Sequence, residues 1–180
     1  MIAYLVLIVA ALSRLVPHAL HGVGLNFTAV GGGLLYFGAR RPRWQAAVGA
    51  GAMALTDVYL TKFVYGFSFH VREYAVTWLW YAAVCLLGSA LLRRVSALRV
   101  VAAVLASATG FFLLSNGMVW LAGGMYPRTA AGLGACYAAG LPFYSNDLVS
   151  TAITAGVLFG LPVVAARLVQ ALGPTRGTAA

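Results

Sequence analysis

Asp57 is a carboxylate inside an apolar run, Trp44–Tyr65, in a chain that has only three acidic residues. A carboxylate at membrane depth is costly, so it must face protein or water, and such residues are candidates for function by default. Helical geometry places Asp57 on the stripe of Ala46, Ala50 and Ala54, whose small side chains let a second helix approach. The pattern predicts that Asp57 points into a helical bundle. It would serve there as a polar anchor for a ligand, or as a structural carboxylate paired with an arginine or with tyrosine hydroxyl groups.

Further polar and aromatic side chains of the kind that line ligand pockets are spread along the chain. Such pockets are mostly apolar, with a few polar groups that fix the orientation of the ligand. We expect Asn116 to act as a second anchor, although an asparagine in a membrane helix more often bonds a neighbouring helix. We expect Arg128 or Arg14 to pair with a carboxylate, either on the ligand or on Asp57. The other candidate ligand-binding residues are Asn26, Trp120, Tyr126, Tyr137 and Phe143.

Catalytic and metal-binding patterns are weak in this chain. His18 and His21 have the spacing of two ligands on one helical face, but no third metal ligand accompanies them. No nucleophile turn, phosphate-binding loop or acidic metal motif occurs. The sequence therefore predicts a protein that is not an enzyme and that binds neither a metal nor a cofactor. Asn146 or Asp147 is expected to cap the last helix, after a helix stop at residues 140–142.

The composition is that of an integral membrane protein. Hydrophobic residues make up 62% of the 180 residues and charged residues 8%, against roughly 25% charged residues in soluble domains. The length suits one helical domain, residues 1–172, with a short cytoplasmic tail at 173–180. The net charge of +9 resides largely in short arginine-rich loops, which favours contact with anionic lipid and not with nucleic acid. Cys85 and Cys136 lie in apolar runs and are predicted to be buried free thiols.

Apolar runs predict an all-α membrane protein with about six transmembrane helices in one compact bundle. A short extra helix, interfacial or re-entrant, is expected at Thr129–Leu141, which is too short to span a bilayer. The first two runs are also short, so they are either extended by flanking residues or broken. The six predicted elements are Ile2–Val16, Asn26–Ala39, Trp44–Tyr65, Tyr74–Leu92, Val100–Ala122 and Asp147–Ala171.

The arginines orient this bundle. Eight of the twelve basic residues fall on one face if there are six elements, and that face is cytoplasmic by the positive-inside rule. Both termini are then predicted to lie in the cytoplasm of a bacterial cell whose inner membrane holds the protein. Most of the unusual polar residues fall on the opposite face, where they predict a pocket open to the outside. The eight residues are Arg40, Arg41, Arg43, Arg93, Arg94, Arg99, Arg167 and Arg176.

Three stretches carry a resemblance to a known type of protein: residues 14–40, 54–67 and 111–148. Their most specific parts are the Asn-Phe-Thr segment at 26–28, Thr56-Asp57, Asn116 with Trp120, residues 126–129 and residues 140–143. The chain resembles a family of small bacterial membrane proteins of unknown function, which in turn is similar to the substrate-binding S components of energy-coupling-factor vitamin transporters. The resemblance implies capture of a small vitamin-like or aromatic solute, with a coupling membrane subunit and ATPases as partners in trans. The alternative is a structural accessory subunit of a larger membrane complex.

The predicted orientation can be tested by labelling. A single cysteine placed at Pro42, in a variant without Cys85 and Cys136, should react in intact cells only with a membrane-permeant maleimide. A cysteine placed at Ser68 should also react with an impermeant reagent. Labelling of the Pro42 position by the impermeant reagent would reverse the predicted orientation of the chain.

Overall fold

Six helical segments make up the part of the chain described by the computed structural model, residues 1–16 and 27–172. The last segment is continuous, because α6 passes through a π-helical turn, Gly156–Gly160, into α7. A second π-helical turn, Leu60–Val64, extends α3. No β-strand occurs within these two ranges. The helices are α1 Ile2–Ser13, α2 Val30–Arg40, α3 Ala46–Tyr59, α4 Val71–Leu91, α5 Ala97–Ala122, α6 Ala130–Ala155 and α7 Leu161–Leu172.

The short helix α2 is the centre of the bundle. Nine of its eleven residues are buried, and it packs against α1, α4 and α6. Its glycines allow this close packing: a Cβ at Gly33 would meet the Ala10 side chain of α1, and a Cβ at Gly31 would meet Thr151 of α6. The large buried side chains Leu34 and Phe37 fill the space between these contacts. A helix surrounded in this way owes its stability to packing more than to its own glycine-rich sequence.

The closest crossing joins α2 to α4. A Cβ added at Gly38 would collide with the backbone carbonyl of Cys85, and a Cβ added at Gly88 would collide with that of Leu35. Each glycine thus lets the other helix's backbone approach, as in the small-residue contacts of membrane helices. The two helices run in the same direction, since Val30 and Gly31 at the start of α2 line the same cavity as Tyr74 near the start of α4.

Polar networks mark the two ends of the bundle. At one end, Arg41 donates hydrogen bonds to Gln45 and to the hydroxyl group of Tyr4, near the start of α1. At the other end, Arg14, just after α1, contacts the last turns of α3. The turns that contain Arg40–Arg43 and Arg93–Arg94 belong to the first end, since they follow the parallel helices α2 and α4.

The predicted all-α class and the count of six helices are confirmed. Helices α4, α5 and the continuous run Ala130–Ala171 are long and apolar enough to cross a membrane. The first two helices are indeed short, at 12 and 11 residues. Both cysteines are free and buried, as predicted. The proposed tail at 173–180 lies outside the described residues.

The predicted short helix at 129–141 is wrong, because these residues form the first half of α6. Pro142 lies inside α6 and does not end it, although a proline removes one helical hydrogen bond. Contacts with α5 on both sides of the proline hold the helix in line. Tyr137 donates a hydrogen bond to the Leu113 carbonyl, and the Tyr144 and Thr109 hydroxyl groups lie 2.9 Å apart. The predicted helix stop at 140–142 is therefore wrong as well.

The α2–α4 crossing predicts a large difference between two glycine substitutions. Gly38→Ala should lower the thermal unfolding midpoint and cost about 1–3 kcal/mol, because backbone atoms must move to admit the methyl group. Gly51→Ala, in α3, has open space around the new Cβ, and should be neutral or slightly stabilising. Equal midpoints for the two variants in the purified protein would refute the close crossing.

Candidate functional site

A cavity of about 300 Å³ opens at the end of the bundle opposite the Arg40–Arg43 turn. All three acidic residues of the chain line it, together with one basic residue, Arg14. This is an unusual distribution in a chain of net charge +9. Besides these four, the lining residues are Thr28, Val30, Gly31, Leu34, Tyr74, Thr77, Trp80, Tyr81, Val84, Ser107 and Phe111.

Asp57 is buried at 4% exposure and both of its oxygens are occupied. Oδ1 forms an ion pair with Arg14, and Oδ2 accepts a hydrogen bond from Nε1 of Trp78 at 2.9 Å. Arg14 also donates to the Thr56 hydroxyl group and to the Met53 carbonyl, so it holds the region after α1 against α3. The prediction that Asp57 faces the bundle interior is confirmed. Of the pairings left open by the sequence, the structure has Arg14 with Asp57, which agrees with the structural alternative for this carboxylate.

Aromatic rings from α4 form one wall of this site. The rings of Phe69, Tyr74 and Trp78 stack on one another, and the three pairs of ring centroids are 4.8 to 6.2 Å apart. The Tyr74 hydroxyl group lies 2.8 Å from that of Thr61, within the π-helical turn that follows Asp57. π-Helical turns are frequent at functional sites. The π-helical turn here begins three residues after Asp57, and it contains Thr61, which contacts Tyr74 of α4.

Asp147 lines the opposite wall, on α6. Its only hydrogen bond within residues 1–16 and 27–172 comes from the Thr151 hydroxyl group at 3.5 Å, and no basic side chain in those ranges pairs with it. The predicted capping role of Asp147 is wrong, because α6 begins at Ala130, far upstream. A carboxylate that is not needed as a cap is free to face the cavity.

The third carboxylate, Glu73, stands at the rim of the cavity. Its side chain is 68% exposed and lies 3.7 Å from Nδ1 of His70. His70 is thus its ionic neighbour in the structure. The exposure of the three acidic side chains thus increases from Asp57, which is buried and paired, through Asp147 to Glu73.

Two predicted ligand-binding residues, Asn116 and Phe143, lie around a second, much smaller hollow of about 20 Å³. This hollow shares Phe111 and Asp147 with the main cavity. Asn116 packs against Gly140 and donates to the Phe112 carbonyl of its own helix at 2.9 Å. It therefore takes part in the α5–α6 contact, in line with its structural alternative.

The remaining predicted residues lie near the turn between α5 and α6, away from the cavity lining. Trp120 donates to the Pro127 carbonyl, and Arg128 donates to the Leu121 carbonyl. Both side chains therefore bond the backbone on the other side of the turn. Tyr137 bonds α5, and Tyr126 is half-buried within the turn. Asn26, His18 and His21 lie outside the described residues.

The cavity residues that the sequence did not single out are mainly on α4 and α5. Glu73 and Trp80 are seven residues apart, which is about two helical turns and places them on one side of α4, and Tyr81 follows Trp80 directly. Ser107 is the buried polar residue of a small-residue run in α5. The rarity of acidic residues could have indicated the position of the cavity in the sequence, since all three of them line it.

The chain belongs to DUF6580, a family of unknown function that matches residues 1–172. No curated protein and no solved structure matches the chain.

The Arg14–Asp57 pair predicts strong coupling between two substitutions. Asp57→Asn should destabilise the fold by about 3–5 kcal/mol, because it leaves the guanidinium buried without a counterion. Arg14→Met combined with Asp57→Asn should cost clearly less than the sum of the two single changes. A double-mutant cycle of unfolding free energies measures this, and additive effects would contradict a direct pair.

Proposed function

For this member of a family of unknown function, we propose that the chain is a membrane-embedded solute-binding protein. The observation that carries the proposal is the cavity of about 300 Å³, in which ring-bearing side chains surround a few polar groups. Its volume is at the lower end of the range for small-molecule sites, about 300–1,000 Å³. A solute of one or two rings would fit it.

Membrane embedding is supported by the outer surface of the bundle. Large apolar side chains project from the helices with little cover, for example Leu55 at 73%, Phe63 at 74% and Leu79 at 71% exposure. Soluble monomers rarely expose apolar patches larger than a few hundred square ångströms. A bilayer would cover such a surface, and the three long apolar helices match its thickness.

The polar lining distinguishes this cavity from a lipid groove. A third hollow, of about 310 Å³, lies between α1 and α3. Its lining is aliphatic, apart from Thr56 and Tyr59. That surface suits a hydrocarbon chain. The acidic cavity, by contrast, offers carboxyl and hydroxyl groups that would orient a polar solute.

Transport would require partners. The chain has no nucleotide-binding motif, so a solute captured by an S-component-like protein would move only with a coupling subunit and ATPases supplied in trans. We place the cavity on the outer side of a bacterial inner membrane, with both termini in the cytoplasm, on the strength of the arginine distribution.

Filling the cavity should abolish binding. In Thr77→Trp, the new indole occupies the space of the solute, whereas Leu79→Trp places the same group on the exposed side of α4. Native mass spectrometry of protein purified from its host should detect a small molecule bound to the wild type and to Leu79→Trp. The Thr77→Trp protein should lose it, with an affinity reduced by at least about tenfold.

Two results would refute the proposal. One is a wild-type protein that carries no small molecule and is not stabilised thermally by any member of a panel of vitamins and aromatic solutes. The other is equal retention of the bound molecule by both tryptophan variants, since binding would then lie elsewhere.

An accessory-subunit role is the second candidate, and α7 favours it. Residues 161–171 are all exposed, and α7 contacts little beyond the π-helical turn that precedes it. An apolar helix that extends from a bundle in this way is suited to packing against another membrane protein. A stable, stoichiometric partner other than a coupling-factor subunit in a native pull-down would favour this role over solute capture.

A further inference from the structure

We infer that the solute is an organic cation: a protonated amine or quaternary ammonium ion attached to an aromatic or apolar body. The inference rests on the proposed solute-binding function and names the chemical class of its ligand. Three features of the cavity carry it: the excess of carboxyl groups, an unpartnered hydroxyl group beside them, and the aromatic walls.

The charges around the cavity do not balance. Three carboxyl groups line it, but Arg14 is the one basic lining residue in the described chain, and it is committed to Asp57. The start of α2, at Val30 and Gly31, also faces the cavity. A helix N-terminus carries only about half an elementary charge, which offsets less than one carboxylate. Glu73 is exposed at the rim beside His70, so Asp147 is the lining carboxyl group that no basic side chain pairs with in residues 1–16 and 27–172. A cationic solute would supply the missing charge.

Ser107 gives an independent sign of a missing ligand. Its residue is only 4% exposed, its side chain lines the cavity, and its hydroxyl group has no hydrogen-bond partner in residues 1–16 and 27–172. Serines inside helices usually bond a carbonyl of the preceding turn, whereas the Ser107 hydroxyl group is left open towards the cavity. A ligand that reaches the Asp147 carboxylate would also offer this hydroxyl group a partner.

The walls suit an organic cation better than a metal ion. Trp80, Tyr81 and Phe111 line the cavity, and aromatic faces attract ammonium groups. The guanidinium of Arg14 already lies 5.9 Å from the centroid of Tyr81, so these rings accept a cation at this depth. Inorganic cations need several oxygen ligands at about 2–2.6 Å, whereas the carboxyl groups here are distributed around a space of about 300 Å³.

A series of ligands that differ only in charge tests the inference. Tryptamine is cationic, tryptophol is neutral and indole-3-acetate is anionic, and all three share one ring system. Phenethylamine, 2-phenylethanol and phenylacetate form a second series with a smaller ring, and choline serves as a cation without a ring. We expect the amines to raise the unfolding midpoint of the purified wild-type protein and the anions to leave it unchanged.

Two substitutions assign the effect to the cavity. Asp147→Asn keeps the size of the side chain but removes its charge, and should weaken amine binding by about 10- to 100-fold, the scale of a lost charge-assisted bond. Ser107→Ala should weaken it less, by up to about tenfold. Ser145→Ala is the matched control, since Ser145 is exposed on α6 and donates to the Pro142 carbonyl. Neutral analogues should bind Asp147→Asn as well as they bind the wild type.

The outcomes separate the inference from the proposed function. Binding of neutral or anionic analogues in preference to amines, or amine binding that survives Asp147→Asn unchanged, overturns the cationic class but leaves solute binding in place. A protein that binds no member of either series or choline, and carries no small molecule from its host, overturns both. If the molecule from the host is an anion, the inference fails even where the amines bind weakly.

Discussion

The pairing of Arg14 with Asp57 is the constraint on which the site depends. Either charge alone, buried among apolar helices, would cost several kcal/mol, since its interaction with water is lost and nothing replaces it. Together they are saturated, because the guanidinium reaches three groups of α3 and the carboxylate accepts from both Arg14 and Trp78. The pair joins the end of α1 to α3, and the Trp78 bond to Asp57 ties α4 to α3. The wall of the cavity is thus built by the same contacts that neutralise its deepest charge.

Close packing and the cavity lie at opposite ends of the same pair of helices. At Gly38 and Gly88, the α2 and α4 backbones approach so closely that an added Cβ would collide with a carbonyl of the other helix. Towards the other end, Trp80 and Tyr81 of α4 line the cavity together with Val30 and Gly31 of α2. A short, glycine-rich helix is a poor helix former by itself, yet here it serves as the support around which the longer helices pack.

The sequence predicted the features that depend on the chemistry of single residues. The scarcity of charge predicted apolar helices, and the cost of burying a carboxylate predicted that Asp57 faces inwards. It failed where tertiary contacts override a local signal. Pro142 and Gly140 indicated a helix stop, but bonds from α6 to α5 on both sides of the proline keep the helix continuous. Asp147 was consequently interpreted as a cap, although its position within α6 places it on the cavity wall.

The predicted binding residues near the α5–α6 turn show the same difficulty in another form. Trp120 and Arg128 have the side chains that ligand sites favour, but both bond to carbonyls seven residues away. Sequence composition does not reveal whether a polar side chain is already occupied by its own backbone. Side chains with unused bonding capacity are the informative ones, and Asp147 and Ser107 are two such residues of the cavity in the described part of the chain.

Asp147 is the residue whose chemistry is hardest to explain without a ligand. An asparagine would fill the same volume, could accept the same bond from Thr151, and would avoid the cost of placing a charge between helices. Within the described residues no basic side chain pairs with this carboxyl group. The inferred cationic solute would supply its counterion. The cavity that it faces is large enough for such a counterion to carry an organic body with it.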